Sequence, residues 1–105
     1  MSIFNKIILK EIPADIIYED EKVIAFKDIR PVRPGHFLVV PKLMSENLID
    51  IDDETLSYLM IKARELAVKV IKEMNVSGFN LQVNNSKEAG QEVFHTHIHI
   101  IPTIK

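Results

Sequence analysis

Three of the four histidines in the chain, His95, His97 and His99, stand two residues apart near the C-terminus. A β-strand repeats its side-chain direction every second residue, so the trio is expected on one face of a strand, with Thr96, Ile98 and Ile100 on the other. Neighbouring imidazoles on that face would stand roughly 6.5 to 7 Å apart, close enough to share a phosphate-sized substrate or a hydrogen-bond network. An imidazole near its ordinary pKa of about 6.5 is neutral enough at pH 7 to act as nucleophile or base. His97, in the middle, is placed to approach an electrophile while its neighbours hold the displaced charge. A lone histidine in an apolar strand is ordinarily a satisfied core or surface residue. Three in register need a hydrogen-bond partner for every ring nitrogen if buried, and leave a common face unexplained if exposed.

The fourth histidine, His36, follows Pro34-Gly35 and opens the β-prone run His36-Phe37-Leu38-Val39-Val40-Pro41, so a rigid turn would fix its direction. Alone it would be structural; beside the trio it is a candidate to orient another imidazole. The polar loop from Asn84 to Glu92 precedes the histidine strand. Gly90 allows a close backbone approach, and consecutive N–H groups there could cradle an oxyanion. By itself this loop would be an ordinary connection.

These side chains must be positioned by one small fold, since 105 residues bury a single core. Hydrophobic residues make up 47% of the chain and the net charge is −2, which lacks the basic excess of non-specific nucleic-acid binding. With no cysteine there is no disulfide, thiolate zinc site or cysteine nucleophile. The opening Met1-Ser2-Ile3-Phe4-Asn5-Lys6 lacks the apolar core of a signal peptide, and no apolar stretch approaches the ~20 residues of a membrane span. A cytoplasmic protein without membrane contact is expected.

The segment from Ile3 to Ile8 suits one or two turns of helix. Two β-rich runs, 16–20 and 23–28, flank Glu21-Lys22 as a hairpin, and residues 36–41 make a third strand. Between Asp52 and about Met74 the period becomes helical, with Leu56, Leu59, Met60, Ala63, Ala67, Val70, Ile71 and Met74 on one stripe. The acidic run Asp50 to Glu54 suits the positive end of that helix and offers an N-cap. Residues 79–84 alternate as a fourth strand, and the histidine strand is the fifth. The expected fold is α+β: an antiparallel five-stranded sheet covered by one long helix, with the histidine strand central, Ile98 and Ile100 beneath the helix and the imidazoles facing a groove.

Five segments together resemble the histidine triad (HIT) superfamily, and most closely its histidine triad nucleotide-binding (Hint) branch. They are Ile3-Phe4-Asn5-Lys6-Ile7-Ile8, Lys10-Glu11-Ile12-Pro13-Ala14, Phe26-Lys27-Asp28-Ile29, His36-Phe37-Leu38-Val39-Val40-Pro41-Lys42 and Gly90-Gln91-Glu92-Val93-Phe94-His95-Thr96-His97-Ile98-His99. The resemblance implies a single HIT domain over residues 1–105. It further implies a hydrolase or transferase acting on purine nucleotides such as AMP or GMP conjugates. His97 would attack an α-phosphorus and form a nucleotidyl-histidine that yields to water, with no cofactor and no metal. His95 would assist protonation of the leaving group, and His99 and His36 would hold the phosphate and the nucleophile's tautomer. Asp28 would bind the ribose hydroxyls, and Ile3, Phe4, Ile7, Phe26, Ile29 and Leu38 would form the base slot, simple core packing being the other reading of these apolar residues. Asn84, Gly90, Gln91 and the backbone at Glu92 and Val93 would contact the ribose-phosphate. A homodimer paired through the long helix and an edge strand is implied as well.

This sequence departs from the branch in two places. Glu92 stands where Hint proteins often carry a phosphate-contacting serine, and a carboxylate there would repel phosphate unless it points away. The chain ends at Lys105, where better-known Hint proteins continue with a tail that tunes specificity, so substrate preference does not transfer. The leading reading is a purine nucleoside phosphoramidase. Its alternatives are a dinucleoside polyphosphate hydrolase, a module binding zinc or copper through its histidines, and a nucleotide-binding protein without turnover.

Overall fold

Asp52, in extended backbone, accepts a hydrogen bond from the Thr55 N–H at 2.8 Å, and helix α2 (Asp53–Met74) starts there. Asp53 and Glu54 fill its first turn, where the helix dipole favours negative charge. Asn75 closes it in the left-handed region at φ 57°. The computed structural model describes residues 2–104; the expected domain bounds at Met1 and Lys105 fall outside them. Before α2 come α1 (Ile3–Ile8), β1 (Ile16–Glu19), β2 (Val23–Lys27) and β3 (Phe37–Pro41), and after it β4 (Phe79–Gln82), a 3-10 turn (Lys87–Ala89) and β5 (Ile98–Pro102). The strands form one antiparallel sheet in the order β1-β2-β3-β5-β4, as the α+β reading expects.

Asp20 organises the first hairpin. Its carboxylate accepts from the N–H groups of Lys22 and Val23 and from the hydroxyls of Tyr18 and Tyr58, which ties the turn to α2. Alternation along the strands then divides the interior. Val23, Ala25, Phe37, Val39, Ile98 and Ile100 meet Leu59, Ala63, Leu66 and Ala67 of α2 on one face. Ile24, Phe26, Leu38 and Val40 meet Phe4 and Ile7 of α1 on the other. Each fully buried Leu, Ile or Phe contributes roughly 1.5 to 3 kcal/mol, so both helices are held mainly by this packing.

The structure corrects several boundaries. Leu66, absent from the expected stripe, is buried against the sheet, whereas Met60 is 37% exposed. β4 stops at Gln82 and β3 begins after His36. Most consequentially, only His99 of the trio lies within a strand. The Thr96 N–H instead donates to the Ser45 carbonyl at 2.9 Å, and the Thr96 and Ser45 hydroxyls are 2.6 Å apart. Residues 95–97 are thereby bound to the segment after β3 before the β5 ladder begins.

Candidate active site

The hydrogen bonds around the four histidines define a set of tautomers. His97 Nδ1 lies 2.7 Å from the carbonyl oxygen of His95, and a carbonyl only accepts, so Nδ1 carries the proton and Nε2 keeps its lone pair. His95 Nε2 lies 2.8 Å from the Pro41 carbonyl and must donate to it, which leaves Nδ1 unprotonated, 3.4 Å from the Ser2 Oγ, whose own proton goes to Asn5 Oδ1 at 3.1 Å. The Val32 N–H donates to His36 Nδ1 at 3.1 Å, so the His36 proton sits on Nε2. From there it is donated to His99 Nδ1 at 2.9 Å, and His99 bears its own proton on Nε2.

Burial keeps these rings neutral. His36, His95 and His97 are buried and His99 is half-buried, and removal from water is the largest cause lowering the pKa of all four. For His99 the positive charges that His97 and His36 would carry add to it, and its pKa falls to about 4. Asp28 opposes the effect at His36, its Oδ2 lying 3.5 Å from His36 Nε2.

The ring centroids of His97 and His99 are 5.0 Å apart, closer than the roughly 6.5 to 7 Å expected from the strand repeat. The Phe4 ring stands edge-on to His97 at 5.0 Å, to His95 at 6.1 Å and to Phe26 at 5.5 Å. Phe4, Ile7, Phe26 and Leu38 share one apolar cluster, against which Val93 packs. Ile3 is 47% exposed and Ile29 is 87% exposed on the loop after Asp28, so neither belongs to that cluster and Ile29 does not pack in the core.

Two side chains expected at the ligand point into the protein. His95 is fully buried with its N–H given to the Pro41 carbonyl, and its own carbonyl sets the His97 tautomer. The Gln91 side chain turns inward. Its Oε1 accepts from Asn47 Nδ2 and the Ser86 N–H, and its Nε2 donates to the Glu46 and Val93 carbonyls, which leaves no valence for ribose-phosphate. Glu92 is exposed. Asn84 is half-buried, accepting from Gln82 Nε2 at 3.1 Å and donating to the Gly90 carbonyl at 3.5 Å. Gly90 sits at φ +89°, in the region glycine favours.

Sequence reading missed Ser2, Pro41, Ser45 and Thr96 as residues that orient the trio. Their partners lie between 51 and 93 positions away in the chain, and no local pattern signals such pairs. Ligand atoms of Asp28, His36 and His99 lie within 4.8 Å of one another, so a small cation could be held there at the expense of the His36–His99 hydrogen bond.

Residues 9–105 match the family model described as HIT domain. A protein of Mesomycoplasma hyorhinis described as an uncharacterized HIT-like protein is 56% identical over 103 residues, spanning 98% of this chain and 93% of that one. A solved structure from Sulfolobus tokodaii, described as a hypothetical histidine triad nucleotide-binding protein, superposes with a TM-score of 0.93 at 39% identity, covering 96% of this chain and 68% of its own. A structure described as a HIT family hydrolase from Clostridium thermocellum superposes with a TM-score of 0.86 at 38% identity, covering 99% and 91%.

Proposed function

The chain belongs to the HIT domain family, and on that premise we propose that it is a nucleotide hydrolase in which His97 Nε2 attacks the α-phosphorus of a purine nucleoside phosphoramidate such as an AMP–amine conjugate. The observation that carries this reading is the His97 tautomer. A neutral ring with Nδ1–H held by the His95 carbonyl at 2.7 Å presents an unprotonated Nε2 beside His99 and the Phe4 slot. In the first step the Nε2–P bond forms and the P–N bond breaks, its electron pair leaving on the amine, which takes a proton from solvent. The His95 carbonyl stabilises the positive charge that the attacked imidazole acquires. In the second step a water oxygen attacks phosphorus, the Nε2–P pair returns to His97, and the surplus water proton restores the one taken by the amine.

Asp28 binds the ribose hydroxyls while biasing His36 through its 3.5 Å approach. Phe4, Ile7, Phe26 and Leu38 receive the base, with Ile3 and Ile29 at its rim. The N–H groups of Glu92 and Val93, which make no hydrogen bond among the described residues, face the phosphate, and the Gly90 turn shapes that loop. The names borne by the Sulfolobus and Clostridium relatives support nucleotide binding and hydrolysis. Among the described residues no helix is long and apolar enough to cross a membrane, and a cysteine-free chain is compatible with the reducing cytoplasm where this reading places it.

Two copies pair through α2 and the edge strand β4, where Met60, Ile61, Val68 and Leu81 are exposed. Light scattering at micromolar concentration tests this; a monomeric mass throughout refutes it. The function is tested by incubating the protein with an AMP–amine conjugate and with a dinucleoside polyphosphate and measuring AMP from each. Release from the first, with an acid-labile nucleotidyl adduct on His97 trapped in a quench, supports the reading. Release from the second alone moves the activity to polyphosphate cleavage, and release from neither refutes turnover.

A further inference from the structure

Arg33 lies outside the residues assigned above, three positions before His36 in the loop between β2 and β3. Its side chain reaches over the end of the sheet. The Nε–H donates to the carbonyl of Pro102, the last residue of β5, at 3.0 Å, and Nη2 donates to Asn80 Oδ1 on β4 at 2.9 Å. Its own carbonyl accepts the His36 N–H at 3.2 Å.

Apart from the His36–His99 contact, three further hydrogen bonds among the described residues of this loop stay within it. The Asp28 N–H donates to the His36 carbonyl, the Arg30 N–H to Asp28 Oδ1, and the Val32 N–H to His36 Nδ1. These fix Asp28 and His36 relative to each other but not relative to the triad. His36 also precedes the first residue of β3, so the β3–β5 ladder that sets Leu38 opposite His99 does not include it. Among the described residues, the hydrogen bonds from residues 28–36 to β4 and β5 are the Arg33 fork and the His36–His99 contact itself.

We infer that Arg33 is a positioning residue for the phosphoryl transfer: its guanidinium clamps the loop carrying Asp28 and His36 onto β4 and β5, and so holds His36 Nε2 against His99 Nδ1. The catalytic consequence rests on the function proposed above; the clamp itself does not. A planar fork suits two acceptors on different strands, which a lysine ammonium would satisfy less directionally. Released from it, the loop would shift relative to β5 with its internal Val32–His36 bond intact, and His99 Nδ1 would lose the His36 Nε2–H that fixes the His99 tautomer.

The test compares Arg33→Met and Arg33→Lys with the unsubstituted chain by two readouts: long-range proton–nitrogen spectra of the imidazoles, and AMP release from an AMP–amine conjugate at one fixed pH. In the unsubstituted chain His99 should show an acceptor Nδ1 and a protonated Nε2. In Arg33→Met both His99 nitrogens should move toward averaged values, with kcat lowered about 10 to 100-fold, the scale of a displacement near 1 Å. Arg33→Lys should recover only part of kcat. Unchanged His99 signals and a kcat within about twofold in Arg33→Met overturn the proposal. Should that variant fail to fold, Asn80→Ala removes one arm of the fork, and the same mixed His99 signals are expected; unaltered signals there refute the clamp. Absence of AMP release by the unsubstituted chain would sink the proposed function alone, since the imidazole spectra still decide the role of Arg33.

Discussion

His97 Nδ1 donates to the carbonyl oxygen of His95 across 2.7 Å, so one residue of the triad fixes the tautomer of the next through the main chain they share. The consequence is an Nε2 lone pair that does not depend on a neighbouring carboxylate. Around it the histidines fall into two pairs of different character. His95 and His97 are linked by backbone and buried against Phe4, whereas His36 and His99 are linked ring to ring at 2.9 Å beside Asp28.

Separation of chemistry from binding is the first expectation. Replacing His97 by alanine should lower AMP release by several orders of magnitude, as loss of a covalent nucleophile generally does, while nucleotide affinity changes by less than about tenfold, or about 1.4 kcal/mol. Asp28→Ala should behave oppositely, weakening binding by about 1 to 3 kcal/mol through loss of charge-assisted hydrogen bonds to ribose. Titration calorimetry with AMP alongside steady-state kinetics separates the two. Full activity in the His97 variant would refute the assigned nucleophile.

Much of this arrangement is legible in the primary structure, and the exceptions have a common cause. A cap within the acidic run 50–54, most of the α2 stripe, the hairpin at Glu21-Lys22 and the placement of Ile98 and Ile100 under the helix follow from periodicity and local chemistry. The departure of His95 and His97 from the strand does not, because it depends on Thr96 bonding to Ser45, 51 positions away. Gln91 looks like a ligand residue in a polar loop; its inward turn depends on Asn47, 44 positions off, whose side chain supplies a partner for Oε1. Strand alternation predicts which way a side chain leaves the backbone, but not which remote carbonyl or amide will be there to meet it.

Activity should survive a chelator. His97 acts directly on phosphorus in the proposed mechanism, so EDTA should leave the rate unchanged. Loss of activity that returns on adding zinc would instead support a cation held by Asp28, His36 and His99, whose ligand atoms lie within 4.8 Å of one another.

Acid should destabilise the fold through the triad. A histidine whose folded pKa is lowered binds fewer protons than its unfolded counterpart, so its contribution is fully present above the ordinary value of about 6.5 and is lost as pH falls toward the folded value. For His99 that window runs from about 6.5 down to about 4. His36, His95 and His97 shift in the same direction, again chiefly through burial. Each group can add a slope of up to about 1.4 kcal/mol per pH unit within its own window. Urea denaturation at successive pH values should show stability falling below pH 6.5, with a shallower fall in His99→Gln. An identical slope in that variant would show that His99 is not part of the linkage.

Gly35 offers a test of how closely the helix side of the sheet supports the site. It precedes His36 at φ +89°, where a side chain is strained, and a Cβ there would stand 2.5 Å from Met74 Sδ at the end of α2 and 3.2 Å from Pro102 Cγ. The Met74 thioether is flexible and can move aside; the Pro102 ring and the backbone torsion cannot adjust as easily. Gly35→Ala should therefore cost about 1 to 3 kcal/mol of stability. Adding Met74→Ala should relieve the sulfur contact but leave the torsional part. Because the strain falls on the peptide that carries His36, the single variant should also lose kcat for AMP release even at temperatures where it is fully folded. Thermal unfolding of the single and double variants, with kinetics well below the transition, decides the matter. A Gly35→Ala protein as stable and as active as the parent would mean that the His36 loop accommodates a side chain by moving, contrary to the rigid turn described here.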